Sequence, residues 1–484
     1  MNYDKLIIFF CFVLLLNHTA FAQITTLAPV LNDQLSKFPR SDSSKKLKII
    51  SIHITGNKKT KNYIILREIP FKQGDSLIIA TLLDTLEQTR YQVYNLNLFS
   101  EVVITPEILS AYECNVNVTV REKWFVYPTP QFQLIDRNVN EWLKTYHADL
   151  ERVVYGIKFA HYNFSGRGDE LRIYLLNGYS RNISFSYNAP FSNSKLTEGF
   201  RVSGGYSQNR EIVYKTSDSN RLLLFKKTGF VRNNLFFSLS YQSRKGFFKR
   251  TSYSVTYTYV NLHDSIIDPK YNPHYFNSKK SSLGILDLNF SFSYSNVDNI
   301  NYPLKGRIYG FTIQKRGLGL TGGINMLSLS GSYSKFITHK NKWYSTAQVY
   351  SKIILPFTQC YINQRSIGYS EFYLRGLEYY VIDGVAAAVA KYTLKKKLFG
   401  FNIPVPFHIR AVPRIPFAFF AKTYADAGYS YIKKEFDTRL NNRLLYTAGF
   451  GIDVLTLYDA AMNLEYSFNQ LGENGLFLHA KIGF

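Results

Sequence analysis

From Trp124 onward the chain alternates, residue by residue, between apolar and small polar side chains over stretches too long for an ordinary globular strand. Leu286, Leu288, Phe290, Phe292 and Tyr294 interleave with Asp287, Asn289, Ser291, Ser293 and Ser295. Tyr253, Val255, Tyr257 and Tyr259 interleave with Ser254, Thr256 and Thr258, and the period recurs at Leu235 to Tyr241, Leu327 to Tyr333 and Ile183 to Tyr187. A period of two places the apolar residues on one face of a strand and the Ser, Thr, Asn and Gly on the other. Strands of soluble sandwiches average about 5 or 6 residues. These run about 9 to 12, the length that crosses a bilayer at a tilt.

About sixteen such segments fit between turn signals in the roughly 360 residues after Lys123, or about 23 residues per strand with its share of loop. That spacing suits short turns on one side of a membrane and long loops on the other. An open sheet edge in hydrocarbon leaves backbone groups unpaired at several kcal/mol each, so the strands must close. The expected fold is mainly β, a 16-stranded antiparallel transmembrane barrel over residues 124–484. The 38 Tyr and 38 Phe then find places on the outward face and in interfacial girdles. In the last strand Leu476, Leu478, Ala480, Ile482 and Phe484 share one face, with Gly475, His479, Lys481 and Gly483 on the other.

Upstream, Leu6 to Leu16 is apolar, preceded by Lys5 and followed by Ala20-Phe21-Ala22. This is the pattern of a secretory signal, so residues 1–22 read as a signal peptide and Gln23 as the first mature residue. Cys11 leaves with it; using Cys11 as a lipidated N-terminus instead would cut the apolar run in half. Cys114 and Cys360 remain, too few and too far apart for a disulfide framework. Residues 23–47 read as a polar linker.

Residues 48–123 have another rhythm. Ile50, Ile52 and Ile54 alternate with Ser51, His53 and Thr55 and end at Gly56-Asn57, a strand and a turn. Asn62 to Glu68 suits a short helix stopped by Pro70. A second helix is expected behind Asp75-Ser76 as its N-cap, with Ile79, Leu82, Leu83, Leu86 and Val93 on one face. Strands through Val102 and Ile104, then Val116, Val118 and Val120, complete a β-α-α-β-β order. This small domain offers no clustered His, Cys or paired carboxylates, but it has a sheet edge to which an extended peptide can add a strand.

The net charge of +24 invites nucleic acid, which an exported barrel does not meet. Anionic lipid or lipopolysaccharide head groups are better partners for Lys279-Lys280, Lys395-Lys396-Lys397 and Lys433-Lys434, beside ordinary solvated loop charge. The nine histidines show no metal-ligand spacing, and no nucleophile elbow or Gly-rich phosphate loop sits between a strand and a helix. His263, His274 and His479 read as loop or lumen residues and not as ligands. No catalytic residue, cofactor or metal is expected.

Three segments, Ile54-Thr55-Gly56-Asn57, Asn95-Leu96-Asn97-Leu98-Phe99-Ser100 and Val120-Arg121-Glu122-Lys123-Trp124, resemble the POTRA module in both residues and spacing. A POTRA-like domain followed by sixteen strands is similar to the outer-membrane protein 85 superfamily, also called the bacterial surface antigen family. Tyr373-Leu374-Arg375-Gly376-Leu377, within Leu355 to Gly384, resembles that family's Val-Arg-Gly-Phe motif on a loop folded into the lumen. Tyr424-Ala425-Asp426-Ala427-Gly428 resembles its aromatic-x-Asp-x-Gly strand. Asp298 with Tyr302-Pro303-Leu304-Lys305-Gly306 resembles its Asp…Pro-x-x-Gly periplasmic turn, and Leu478, Ala480, Ile482 and Phe484 look like the C-terminal barrel signal. Leu377 stands where the motif has an aromatic, with Tyr379 and Tyr380 nearby to supply a ring.

The resemblance implies that Arg375 pairs with Asp426. A guanidinium inside a barrel is costly unless a carboxylate holds it, with Glu378 and Asp383 as competing partners and lumenal water as the remaining alternative. It further implies a factor in the bacterial outer membrane, its POTRA-like domain in the periplasm, that inserts or translocates unfolded outer-membrane or secreted client proteins, with accessory assembly subunits among its partners. The working part would be a lateral seam between the first barrel strand, about 124–135, and the last, about 475–484. One alternative is a dedicated two-partner-type transporter of one exported passenger. Another is a porin-like channel, which needs neither a POTRA-like domain nor an Arg-Gly loop.

Overall fold

The computed structural model describes residues 46–135, 147, 149–318, 324–369, 372–405, 413–433 and 436–481. The expected signal peptide, all but the end of the linker, and Ile482 and Phe484 of the C-terminal signal lie outside the described residues.

The alternating valines after Glu113 build a small sheet against one helix. Its elements are β1 (Lys46–Thr55), α1 (Asn62–Leu66), β2 (Ser76–Ile78), α2 (Ile79–Tyr94), β3 (Phe99–Ser110) and β4 (Glu113–Glu122). The sheet order is β2-β1-β4-β3, with β1 parallel to β4. Val116, Val118 and Val120 join Leu47, Ile49, Leu82 and Leu86 in a buried core. Two expectations need correction. Ser76 does not cap a helix: it opens β2, which pairs antiparallel with Lys46 to Lys48, while the Asp75 carboxylate accepts the Lys72 N–H at 2.7 Å inside the preceding turn. Pairing with β1 gives these backbone groups partners that a helical first turn would leave open, so α2 starts at Ile79 without a side-chain cap. Leu83 is exposed, because it lies about 100° around the helix from the buried Leu82.

Sixteen strands then form one antiparallel sheet. The first five are β5 (Val126–Leu134), β6 (Val153–Tyr162), β7 (Glu170–Gly178), β8 (Ser180–Ala189) and β9 (Glu198–Asn209). After β9 the chain leaves the wall for a separate hairpin, β10 (Glu211–Thr216) with β11 (Leu222–Lys226), so the segment from Arg221 is an insertion and not a barrel strand. The wall resumes with β12 (Arg232–Lys245), β13 (Lys249–Leu262), β14 (Ser282–Val297), β15 (Gly306–Arg316), β16 (Met326–Thr338) and β17 (Trp343–Leu355). A long loop carrying the two short strands β18 (Arg365–Ile367) and β19 (Ile382–Asp383) precedes β20 (Ala386–Pro404) and β21 (Arg414–Tyr431). The wall ends with β22 (Leu444–Leu455), β23 (Ala461–Asn469) and β24 (Asn474–Lys481). No helix among the described residues is long and apolar enough to cross a membrane.

The alternation resolves into an inverted protein. Leu235, Phe237, Leu239 and Tyr241 on β12, and Tyr253, Val255, Tyr257 and Tyr259 on β13, are exposed on the outside, whereas Lys422, Asp426, Asp453 and Glu465 are buried within. Apolar-out and polar-in is the pattern that lipid demands. Two strands outgrow the expected length: β20 has 19 residues and β21 has 18. Their surplus passes the end of β17 at Trp343 and of β22 at Leu455 as a two-stranded ribbon. Cross-strand rings hold the ribbon together, Phe399 on Phe419 at 4.6 Å and Phe401 on Phe417 at 5.4 Å.

The small domain is bolted to the turns at one end of the barrel. Glu68, just past α1, accepts two bonds from the Arg244 guanidinium at the end of β12, both at 2.6 Å and both buried. Around this pair, Lys61 N–H donates to the Gly166 carbonyl at 2.9 Å, Arg67 Nε to the Leu196 carbonyl at 2.6 Å, and Tyr94 OH to Asp459 at 2.8 Å. Asn95 donates to the Val297 carbonyl and accepts from Ile300 N–H, each at 2.8 Å.

Lys123, at the junction, donates to Asn97 Oδ1 at 2.7 Å and lies over the Tyr458 ring. Burial pushes its pKa down to about 8, against the opposing pull of Asp459. The charged form is therefore disfavoured in the folded state, and that penalty is fully present below pH 8. Between about pH 8 and the unfolded value of 10.5 the unfolded chain binds more protons, so stability rises with pH. The advantage of Lys123→Met over the wild type in thermal melting is expected to be largest below pH 8 and to shrink as pH rises from about 8 to 10.5. An advantage that does not change with pH would mean that Lys123 titrates normally.

Candidate functional site: a loop clamped inside the barrel

The loop between β17 and β20 turns back against the wall because its apolar residues find a pocket there. Leu374, Leu377 and Tyr380 are buried with Ile367, Val389, Leu440 and Leu445. The ring expected near Leu377 is supplied by Tyr380, while Tyr379 is exposed and meets Phe477. Gly428 on β21 makes room for the loop: a Cβ there would stand 3.0 Å from Leu374 Cδ1 and 3.1 Å from Val389 Cγ2. Gly376 has φ +85°, and a Cβ would come within 2.8 Å of Ser467 Cβ, so the tip needs glycine for both conformation and space.

These contacts deliver Arg375 to Asp426. Arg375 Nε donates to Oδ2 at 2.9 Å, Nη2 to Oδ1 at 2.5 Å, and its backbone N–H to Oδ2 at 3.2 Å. Nη1 donates to Thr393 Oγ1 at 3.0 Å, and the guanidinium stacks 3.9 Å from the centre of the Tyr424 ring. Both charged groups are buried, and bidentate geometry is what makes such a pair tolerable away from water. The other two carboxylates are engaged elsewhere. Glu378 accepts the Gly376 N–H at 2.8 Å, and Asp383 accepts the Tyr369 hydroxyl. The tip is also tied to the last hairpin, where Asn469 Nδ2 donates to the Gly376 carbonyl at 2.9 Å and Tyr380 OH to Glu473 at 2.6 Å.

Below the pair, a chain of charges descends the same wall. His479 on β24 stands 3.3 Å from Glu378 and 3.6 Å from Glu465 on β23. Glu465 meets Lys422 on β21 at 2.5 Å, and Lys422 also meets Asp453 on β22. Asp453 receives Lys395 at 3.0 Å and the Tyr302 hydroxyl at 2.7 Å. Tyr302 belongs to the turn after β14, where Asp298 accepts the N–H groups of Leu304 and Lys305, each at 3.0 Å. That turn is tucked inward by the hydroxyl–carboxylate contact. The Lys395-Lys396-Lys397 run is split by alternation along β20, which sends Lys395 into the lumen to Asp453 and lays Lys396 over Trp343. Leu478 and Ala480 face outward from β24, opposite His479.

Comparison with known proteins bears directly on this architecture. Residues 47–123 match the POTRA family described as surface antigen variable number repeat, and residues 163–379, through the Arg375 loop, match the Omp85 superfamily domain. The chain belongs to the Omp85 superfamily. A curated relative of this Omp85 chain is the outer membrane protein assembly factor BamA of Neorickettsia risticii, 24% identical over 289 residues, which is 59% of this chain and 34% of that one. The match thus spans about a third of the relative's length. Among solved structures, CdiB from Escherichia coli shares the fold at a TM-score of 0.51 and 13% identity, covering 94% of this chain and 83% of that one. As an Omp85 barrel with an N-terminal POTRA domain, the protein resides in the outer membrane. The lumenal charges Lys422, Asp453 and Glu465 were not legible as site residues, because each sits singly in an alternating strand and gains its partner only from the neighbouring strands.

Proposed function

We propose that this Omp85 protein inserts or translocates other polypeptides at the outer membrane, exchanging backbone hydrogen bonds at a lateral seam rather than using a catalytic residue. The observation that carries the reading is the strand order. The sheet begins at β5 and ends at β24, strands of nine and eight residues, and among the described residues no ladder pairs one with the other. An incoming strand that pairs as the seam parts keeps every backbone group satisfied in lipid.

Delivery would fall to the POTRA sheet. Its β3 edge carries Pro106, which lacks a donor and blunts strand addition, whereas β2 covers only Lys46 to Lys48 of β1. The stretch Ser51 to Thr55 is the better edge for an extended client. The name of the curated relative, an assembly factor, accords with this activity. Depleting the protein and quantifying the outer-membrane proteome is expected to remove many unrelated barrels. Loss of one or a few secreted or surface proteins would replace the general reading with a dedicated transporter, and an unchanged proteome would overturn both.

A further inference from the structure

Glu378, Glu465 and His479 come from three separate parts of the chain, the lumenal loop, β23 and β24, and converge on one point. Each can offer one ligand atom, and the three atoms lie within 4.8 Å of one another. His479 Nε2 stands 3.3 Å from Glu378 Oε1 and 3.6 Å from Glu465 Oε2. Ligand atoms bound tetrahedrally to Zn2+ at 2.0–2.2 Å are themselves about 3.3–3.6 Å apart, so two edges of the triangle already have the separation that the metal would impose.

The second observation concerns Glu465, which is 3% exposed. Its Oε1 is held by Lys422 at 2.5 Å, but its Oε2 accepts no hydrogen bond and points to the same place as the imidazole and Glu378. A buried carboxylate oxygen without a donor is costly unless something cationic meets it. Lys422 is shared between Glu465 and Asp453, and Lys395 is held by Asp453, so neither ammonium reaches the open oxygen of Glu465.

We propose that Glu378, Glu465 and His479 form a binding site for a divalent transition-metal cation of the zinc type. Two carboxylates and one neutral imidazole are a hard-to-borderline donor set suited to such ions, with a fourth position left for water. Lys422 would keep its bond to Glu465 Oε1, orienting the ligand as outer-shell partners do. Because His479 is on the last strand and Glu378 is on the loop, a bound ion would fasten the end of the sheet to the loop that Arg375 already anchors. The site would couple metal supply to the freedom of the seam strand.

The test uses the tag-free full-length protein in detergent, freed of metal with a chelator and titrated calorimetrically with ZnCl2 near neutral pH. One equivalent should bind per chain with micromolar or tighter affinity. Glu378→Gln and His479→Gln should each weaken binding about tenfold or more, and His274→Gln in an exposed loop should leave it unchanged. Co2+ should give a visible ligand-field band that His479→Gln abolishes. Absence of saturable binding to the wild type at millimolar Zn2+ would overturn the proposal and leave the triad as a proton-bridged ion cluster; binding that ignores both substitutions would overturn it equally. The wild-type titration decides the matter even if a variant fails to fold.

Discussion

Arg375→Ala will release the lumenal loop and lower the stability of the folded barrel by about 3–5 kcal/mol, the usual cost of removing one partner from a buried ion pair. The loss arises mainly from what stays behind. Asp426 is buried and receives three hydrogen bonds from Arg375, and the substitution would leave it buried without them. Lys391 sits opposite Asp426 in the β20–β21 ladder with its ammonium over the Tyr373 ring, and a swing toward Asp426 would recover part of the loss. Arg375→Lys should behave more like alanine than like the wild type, since one ammonium cannot reproduce the fork that grips Asp426 and Thr393 together. Heat-modifiable gel mobility and protease cleavage within residues 356–385 report the two consequences separately. Arg375→Ala combined with Asp426→Ala should be milder than either change alone, because the orphaned charge has gone. Unchanged mobility and an unchanged cleavage pattern in Arg375→Ala would show that the pair pins nothing.

Joining β5 to β24 through a disulfide should abolish client assembly and leave the barrel folded. The seam strands are short, nine residues in β5 and eight in β24, and among the described residues no ladder joins them. Ladder bonds contribute only about 0.5–1.5 kcal/mol each once exchange with other donors is counted, so a short ladder can be traded for an incoming strand and a covalent link cannot. Cysteines scanned along Val126–Leu134 against Asn474–Lys481 would find the register that cross-links. The natural thiols Cys114 and Cys360 are both buried, which leaves the engineered pair as the reactive one. Activity should disappear on oxidation and return with reductant. Full activity in the locked protein would count decisively against a gated seam.

The architecture was legible because lipid imposes a simple rule on every strand. Once Tyr253 to Tyr259 or Leu286 to Tyr294 alternate over such a length, only a closed antiparallel wall satisfies both faces, and the count of sixteen follows from the turns. The paired motifs around Arg375 and Asp426 carried their own geometry: glycine at 376 and 428 marks where a loop must approach a strand closely. The lesser elements were obscured by local ambiguity. Asp75-Ser76 has the chemistry of a helix cap, yet β1 offered better partners for Ser76 to Ile78. Lys395 resembles its neighbours Lys396 and Lys397 until alternation sends it inward, and the Glu465–His479 contact exists only because β23 and β24 pair in one particular register.

The buried Glu68–Arg244 link has a consequence for how the outer membrane is approached. A receptor domain hung on a free tether sweeps a hemisphere and meets the surface at every angle. Here residues 123–125 are the whole covalent connection between β4 and β5, and the ion pair removes the rotation that so short a tether would still permit. The β1 edge keeps one bearing relative to the plane of the bilayer. Anything laid along it arrives already aligned, and the orientational search falls on the traveller rather than on the gate.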